Sequence, residues 1–111
     1  MLRIDANEQG IVTIPLFKDN SFNNGETLES KVVEISFKEV KGYFSYHYKV
    51  IGSATIKLYI SHTGEDFVNI DEVSCTDKTD IRTPAIPITK YLKFKVIGNS
   101  NGSITLTLGI A

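Results

Sequence analysis

The side chains that could carry acid–base or nucleophilic chemistry are few in this 111-residue chain, and they lie far apart in the sequence. His47 and His62 are the two histidines, and Cys75 is the only cysteine. An imidazole becomes a catalyst when another group orients it, and neither histidine has an acid, a serine or a thiol at a spacing that would assemble a triad. The sequence therefore favours solvated histidines and a small buried thiol.

The acidic and amide side chains do not suggest a reactive pair or a metal site either. Glu65 and Asp66 are neighbours in a turn, so their carboxylates point apart, whereas glycoside hydrolysis needs two acids facing one substrate. The Asn- and Asp-rich stretch at residues 18–30 offers oxygen ligands, but their spacing does not match a calcium loop. The chain also lacks a glycine-rich phosphate loop, an HExxH motif and a nucleophile elbow. We expect no enzymatic activity, no cofactor and no metal ion.

Composition argues against several classes of partner. Twelve Lys and Arg stand against thirteen Asp and Glu, so the formal net charge is −1, and no basic cluster is present to attract nucleic acid. No apolar run approaches the roughly 18 residues of a membrane span, and the first ten residues lack the apolar segment of a secretion signal. A single cysteine excludes an internal disulfide framework and suits a reducing compartment. We expect synthesis in a cytoplasm and no membrane contact.

Residues 43–60 form the stretch around which the other elements must be arranged. Apolar and polar residues alternate before and after Gly52-Ser53, and this pattern predicts two antiparallel strands that meet in a turn there. An isolated hairpin is marginal in water, so other strands must cover its apolar face. The positions expected on that face are Phe44, Tyr46, Tyr48, Val50, Ala54, Ile56, Leu58 and Ile60.

Further strands with the same period of two lie on both sides of this stretch. Their expected inward residues are Val33, Ile35 and Phe37, then Leu92, Phe94 and Val96, then Ile104, Leu106, Leu108 and Ile110. We expect a short bulged strand at residues 67–73, a polar connection at residues 74–83 and a two-proline edge segment at residues 84–88. Turn-forming residues fill 18–30, with a hairpin signal at Asn24-Gly25, and a second hairpin loop is expected at residues 98–102.

These elements predict one all-β domain. No segment of ten or more residues has a sustained 3.6-residue period, so almost no helix is expected. About eight strands separated by short turns indicate an antiparallel β-sandwich of jelly-roll or immunoglobulin-like type, although the strand order stays open. We divide the chain into an N-terminal arm or edge strand with a polar loop, residues 1–30, and the β-sandwich core, residues 31–111.

Two groups of residues are candidates for contact with a partner. The first lies at residues 11–17, where apolar side chains occupy both sides around Pro15, and consists of Val12, Ile14, Leu16 and Phe17. This pattern is typical either of an edge strand of the same core or of an arm laid on a neighbouring subunit. The second group, Tyr43, Tyr59 and Tyr91, lies opposite the aliphatic faces. These tyrosines could stack on sugar rings, anchor a protein interface or line a second sheet face.

The chain from Gly42 onward resembles small β-sandwich proteins of tailed-bacteriophage virions. The motifs that carry the resemblance are a Gly-aromatic-Ser strand start at residues 42–45, Ile-Ser-x-x-Gly-x-x-Phe at residues 60–67, the alternating stretch at residues 90–96 and a closing Asn-Gly-Ser-Ile-Thr-Leu at residues 101–106. Such proteins carry a strand, Ser-x-Asp-Gly-x-x-Trp, a second strand and Tyr-hydrophobic-Arg-hydrophobic. Here Phe67 replaces the Trp and Lys93 stands where Arg is usual.

This resemblance implies a virion accessory protein with no catalytic site, either a capsid decoration or a component of the head, neck or tail. Its partners would be copies of itself and other virion proteins, bound through the N-terminal arm and the sheet edges in a homo-oligomer. The chain would be made in the host cytoplasm and reside in the virion. A carbohydrate- or receptor-binding β-sandwich module is the alternative, in which Tyr43, Tyr59 and loop Asn residues would meet glycans.

Overall fold

The structure, a computed structural model, describes residues 2–5, 12–36, 44–84 and 89–111, and these residues contain strands and no helix. In this part of the chain no helix is present that could cross a membrane. The strands are β1 (Leu2–Asp5), β2 (Val12–Phe22), β3 (Thr27–Glu29), β4 (Val33–Ser36), β5 (Phe44–Ser61), β6 (Val68–Arg82), β7 (Tyr91–Gly98) and β8 (Gly102–Ile110).

The strands belong to one sheet that curls into a half-barrel. Its order is β1-β4-β7-β5-β8-β2, with β6 on β5 and β3 on β7 as additional neighbours. Every pair is antiparallel except β1 with β4, which is parallel. The prediction of an all-β, antiparallel fold is confirmed at this level, and β1 is an addition, since its four residues are too short a stretch for alternation to indicate a strand.

β5 is the centre of the sheet, and the hairpin predicted at Gly52-Ser53 is wrong. The chain runs through these residues as one strand of 18 residues. Its first part, from Phe44 to Ile51, pairs with β8, and its second part, from Ala54 to Ser61, pairs with β7. The sheet therefore has two wings, which we call the β8 wing (β8 and β2) and the β7 wing (β7, β3, β4 and β1), while β6 follows β5 along both.

A glycine-lined crossing point lets β5 change its neighbour. Gly52 has a φ of +88° and lies in a β-bulge, since the register between β5 and β6 shifts between Val50 and Ser53. A side chain on Gly52 would lie 2.5 Å from the backbone oxygen of Asn101, in the connection from β7 to β8. Gly52, expected in a turn, does have the positive φ that a turn can use, but here that φ belongs to a bulge, which bends a strand and increases its twist.

The two other predicted hairpins are connections between the wings. β7 and β8 are not neighbours in the sheet, so residues 98–102 carry the chain from one wing to the other. Asn24-Gly25 forms the expected turn, with Gly25 at a φ of +82°. However, this turn connects β2, which pairs with β8, to β3, which pairs with β7. Local turn chemistry predicted the bends and could not predict which strands flank them.

Two polar stretches also proved to be strand. Residues 18–22 continue β2, so the turn within the predicted 18–30 loop is short, and β3 follows it. Residues 74–82, predicted as a connection, complete β6, whose 15 residues also include the predicted 67–73 strand. The bulge expected in that strand is confirmed, because neighbouring residues of β5, Leu58 and Tyr59, pair with Asp71 and Asn69, which are two apart in β6. These stretches are polar because they lie at sheet edges, where most side chains meet solvent.

The core lies on the concave face of the sheet and contains the inward residues that the period of two predicted. Tyr46, Leu58, Phe94 and Leu106 are each fully buried, and the rings of Tyr46 and Phe94 pack edge to face with centroids 5.0 Å apart. This contact joins the apolar faces of the two wings. Phe37, also predicted inward, lies outside the described residues, as does the segment at 85–88.

Candidate functional site

The apolar residues predicted near the N-terminus lie on the edge strand β2. Val12, Ile14 and Leu16 are half-buried and pack against the core, while Phe17 is buried within it. β2 pairs with β8 along one edge, and the other edge has no partner strand among the described residues. Pro15, two register shifts and the positive φ of Asp19 interrupt that free edge. Of the two interpretations of this stretch, the structure has the edge strand of the same core.

Tyr59 and Tyr91 lie on the convex face, as expected, but other groups cover their rings. The ammonium group of Lys95 lies 5.1 Å from the centroid of the Tyr59 ring. A side chain added to Gly64 would meet the Tyr91 ring at 3.3 Å, so the turn at residues 61–66 packs on this ring. Such contacts stabilise the surface and leave less open aromatic area for a sugar. Tyr43 lies outside the described residues.

The longest free edge belongs to β6, which pairs with β5 on one side and, in the described part of the chain, with no strand on the other. The backbone of Ser53 faces the β7–β8 connection, because its N–H donates to Ser100 Oγ at 2.9 Å and its carbonyl accepts from Asn99 at 2.8 Å. Thr76, opposite Ser53, must therefore direct its own N–H and C=O to the free edge, and by alternation so must Ser74 and Glu72.

Exposed aliphatic side chains accompany this edge. Val68, Ile70 and Ile81 of β6 are exposed to 62%, 41% and 60% of their surface. Large aliphatic residues are common in cores and less common in such number on one solvent-facing strand. Sequence alone did not reveal this surface, because Ile81 was placed in a polar connection and Val68 and Ile70 in a short bulged strand with no assigned face.

A polar cluster, which we call the Asp71 cluster, joins the two halves of β6 across the concave side. Arg82 donates from Nε and Nη2 to the two carboxylate oxygens of Asp71, each at 2.9 Å, and the Tyr46 hydroxyl donates to Asp71 Oδ2 at 2.8 Å. Asp71 and Arg82 are 11 residues apart on one strand. An extended strand of that length spans about 36 Å, so the bidentate bond is possible only because the sheet curls.

Burial and charge set the proton affinities in this cluster. Burial raises the pKa of the Tyr46 hydroxyl, and its hydrogen bond to the Asp71 carboxylate raises it further. Burial also acts to raise the pKa of Asp71, but hydrogen bonds from Arg82 and Tyr46 outweigh it and hold that pKa below its ordinary value. Asp71 is therefore a carboxylate and Tyr46 a phenol at neutral pH. The cluster is a fully paired ionic contact without a free acid or base.

The remaining reactive groups lie apart from one another. His47 is exposed on the convex face and His62 in the turn after β5, while Cys75 is buried and burial raises the pKa of its thiol. Within the described residues, no three His, Cys, Asp or Glu side chains are grouped so that they could hold a metal ion. A cavity of about 370 Å³ at the end of β5 is lined by Ile60, Ser61, His62, Asp66, Val68 and Thr89.

Comparison with known proteins adds no family to these observations. No protein-family model matches the chain, and no curated protein has a significantly similar sequence.

Proposed function

We propose that this chain is a non-enzymatic structural protein of a tailed-bacteriophage virion, a capsid decoration or a head or tail accessory component, that assembles through the edges of its sheet. The observation that supports assembly is the free edge of β6, which has no partner strand within the described residues. An unpaired edge is a template for a strand of another chain. The turn motif around Gly64 and Phe67, which resembles that of virion proteins, points in the same direction.

The regular part of the β6 edge is a better candidate for pairing than β2. From Glu72 to Thr76 the β5–β6 register has no shift, and the outward N–H and C=O groups of alternate residues are evenly presented. In β2, Pro15 removes a donor and the bulges interrupt the edge. Bulges and prolines protect edges from uncontrolled pairing, so β2 is the more protected of the two.

We further propose that the two wings are the two layers of a β-sandwich of jelly-roll or immunoglobulin-like type with about eight strands. The aromatic contact between Tyr46 of β5 and Phe94 of β7 supports this, since it joins the inner faces of both wings. Strands that pass from one layer to the other through a bulge are known at the corners of such folds, and Gly52 would be that corner.

Sedimentation velocity over a range of protein concentrations tests the proposed assembly. Ser74→Pro removes one outward N–H of the β6 edge, and Ser74→Ala is its control, because both lose the hydroxyl contact with Thr55 and only the proline loses the donor. We expect the wild-type protein and Ser74→Ala to associate as concentration rises, and Ser74→Pro to stay monomeric. A wild-type monomer over the whole soluble range, or equal association of all three proteins, would refute edge assembly.

The virion role has its own test. Mass spectrometry of purified particles, from the phage whose genome carries this chain, should detect its peptides in stoichiometric amount. Absence from such particles would refute the virion role while leaving edge assembly to the sedimentation experiment.

A further inference from the structure

The second half of β6, residues 78–82, differs from the first half in what it contributes to the core. In the first half, Cys75 and Val73 face the concave side opposite Ala54 and Ile56 of β5. In the second half, the concave positions are held by Lys78, Asp80 and Arg82, opposite Val50, Tyr48 and Tyr46. We call residues 78–82 the strap. It adds no apolar side chain to the core, so hydrophobic burial contributes little to holding it.

The contacts that hold the strap are correspondingly few. The Lys78–Asp80 ion pair at 3.3 Å lies within the strap, and the side chains of both residues are about half exposed. In the part of the chain that the structure describes, the side-chain bonds from the strap to residues outside it are those of Arg82 to Asp71, in the first half of β6. The backbone ladder to β5 is the other attachment.

The strap also has a defined boundary. At its start, Asp77 has a φ of +45° and the β5–β6 register shifts, so the ladder is broken between the two halves of β6. The carboxylate of Asp77 accepts a hydrogen bond from the Gly52 N–H at 2.7 Å, which anchors the first half at this point. A segment beyond such a break can open without lengthening or distorting the ladder before it.

We propose that the strap is a displaceable edge segment, latched by the Arg82–Asp71 bond, which opens locally from β5 while the rest of the sheet stays folded. β5 itself does not follow, because Tyr46, Tyr48 and Val50 are buried and pack into the core. Opening uncovers the β5 backbone groups that face the strap, which are then the unpaired edge of the sheet. The inference does not depend on the proposed function, since it concerns the isolated monomer.

The alternation of hydrogen bonds along β5 provides the test. The N–H of Ile81 donates to Asp80 Oδ1 at 2.8 Å, so it lies on the free edge, and its partner His47 directs its backbone to β8. Residues of β5 then alternate, with the amides of Tyr46, Tyr48 and Val50 bonded to the strap and those of Ser45, His47 and Lys49 bonded to β8. The two sets are neighbours on one strand and differ only in their partner.

Native-state hydrogen exchange, followed residue by residue by NMR at low protein concentration, distinguishes local from global opening. In the wild-type protein we expect the strap-facing amides to exchange faster than the β8-facing set, with a weaker dependence on urea. In Arg82→Ala we expect the exchange rates of the strap-facing set to increase about tenfold more than those of the β8-facing set. This ratio corresponds to about 1.4 kcal/mol of free energy contributed by the Arg82–Asp71 bond to closure of the strap. Lys93→Ala, which removes the Lys93–Glu29 pair at 2.7 Å on the convex face, is the control and should change both sets equally.

A cross-link supplies the reciprocal test. His47 and Ile81 form a pair without mutual backbone bonds, in which the Cα atoms lie about 4.5 Å apart, within the range of a disulfide. In His47→Cys/Ile81→Cys, oxidation should restore the protection of the strap-facing amides even when Arg82 is replaced by Ala, and reduction should remove it. Equal exchange of the two amide sets in the wild-type protein, or an equal increase of both in Arg82→Ala, would overturn the proposal.

Discussion

The glycine crossing point permits a quantitative prediction, because Gly52 and Gly25 have nearly the same positive φ and differ in their surroundings. Their φ angles are +88° and +82°. A Cβ on Gly25 meets no atom within 4 Å, whereas a Cβ on Gly52 lies 2.5 Å from the Asn101 backbone oxygen, 3.0 Å from Ser100 Oγ and 3.1 Å from the Cα of Gly102. Gly25→Ala therefore measures backbone strain alone, and Gly52→Ala measures strain together with a clash.

The expected magnitudes follow from these two contributions. An L-residue in the left-handed region costs about 1–2 kcal/mol, so Gly25→Ala should lower the free energy of unfolding by about that amount. Relieving the clash at Gly52 requires a backbone shift, because the nearest atom belongs to the main chain, and overpacking of this kind costs about 1–3 kcal/mol more. Gly52→Ala should therefore lower the free energy of unfolding by about 2–5 kcal/mol in total. At about 4 °C per kcal/mol for a domain of this size, the Tm decreases by about 4–8 °C and about 8–20 °C respectively.

Urea unfolding and calorimetry of the two variants beside the wild-type protein provide the measurement. Both substitutions also reduce the entropy of the unfolded chain, and this contribution is the same for each, so the difference between them isolates the clash. If Gly52→Ala is no less stable than Gly25→Ala, the close packing of β5 against the β7–β8 connection is refuted, and with it the account of how one strand serves both wings.

Three further predictions concern the core and the polar cluster. Phe94→Ala should lower the free energy of unfolding by about 3–5 kcal/mol, because it empties a fully buried site against Tyr46. Phe67→Ala, whose half-buried ring lies under Lys93, should lower it much less. Equal decreases in urea unfolding would contradict the assignment of the concave face as the core. Because the pKa of Asp71 is lowered on folding, the stability that its charge contributes is present above its ordinary pKa of 3.8 and is lost as pH falls through the lower folded value. Asp71→Asn should therefore be less stable than the wild-type protein by about 1–2 kcal/mol at pH 7 and nearly as stable at the lowest pH at which both fold. A stability difference that does not narrow in acid would argue against the pairing of Asp71 with Arg82. Cys75 is buried and its pKa is raised by burial, so a thiol reagent should label it slowly in the native state and rapidly in urea; rapid native labelling would show that the first half of β6 opens as well.

The alternation of side chains determined the strands and their buried faces from sequence. Tyr46, Tyr48, Phe94 and Leu106 were predicted inward and are buried, because in an extended chain the side-chain direction depends on the local period of two and on nothing distant. The same reasoning failed for β6 beyond Val73. An edge strand with charged residues on its concave side has no apolar period, so its pattern cannot be distinguished from that of a loop.

The tertiary structure decided which strand follows which and what the polar residues do. A glycine with positive φ suits a turn and a bulge equally, so only the neighbouring strands β7 and β8, which bond to successive parts of β5, determine that the chain continues through Gly52. The Asp71 cluster depends on the same curl, since an acid and an arginine 11 residues apart on one strand meet only when the sheet bends. Side-chain direction is a local property of the backbone, whereas the choice of hydrogen-bond partner depends on the whole sheet, and this is why the sequence alone determined the faces of the strands and left their neighbours open.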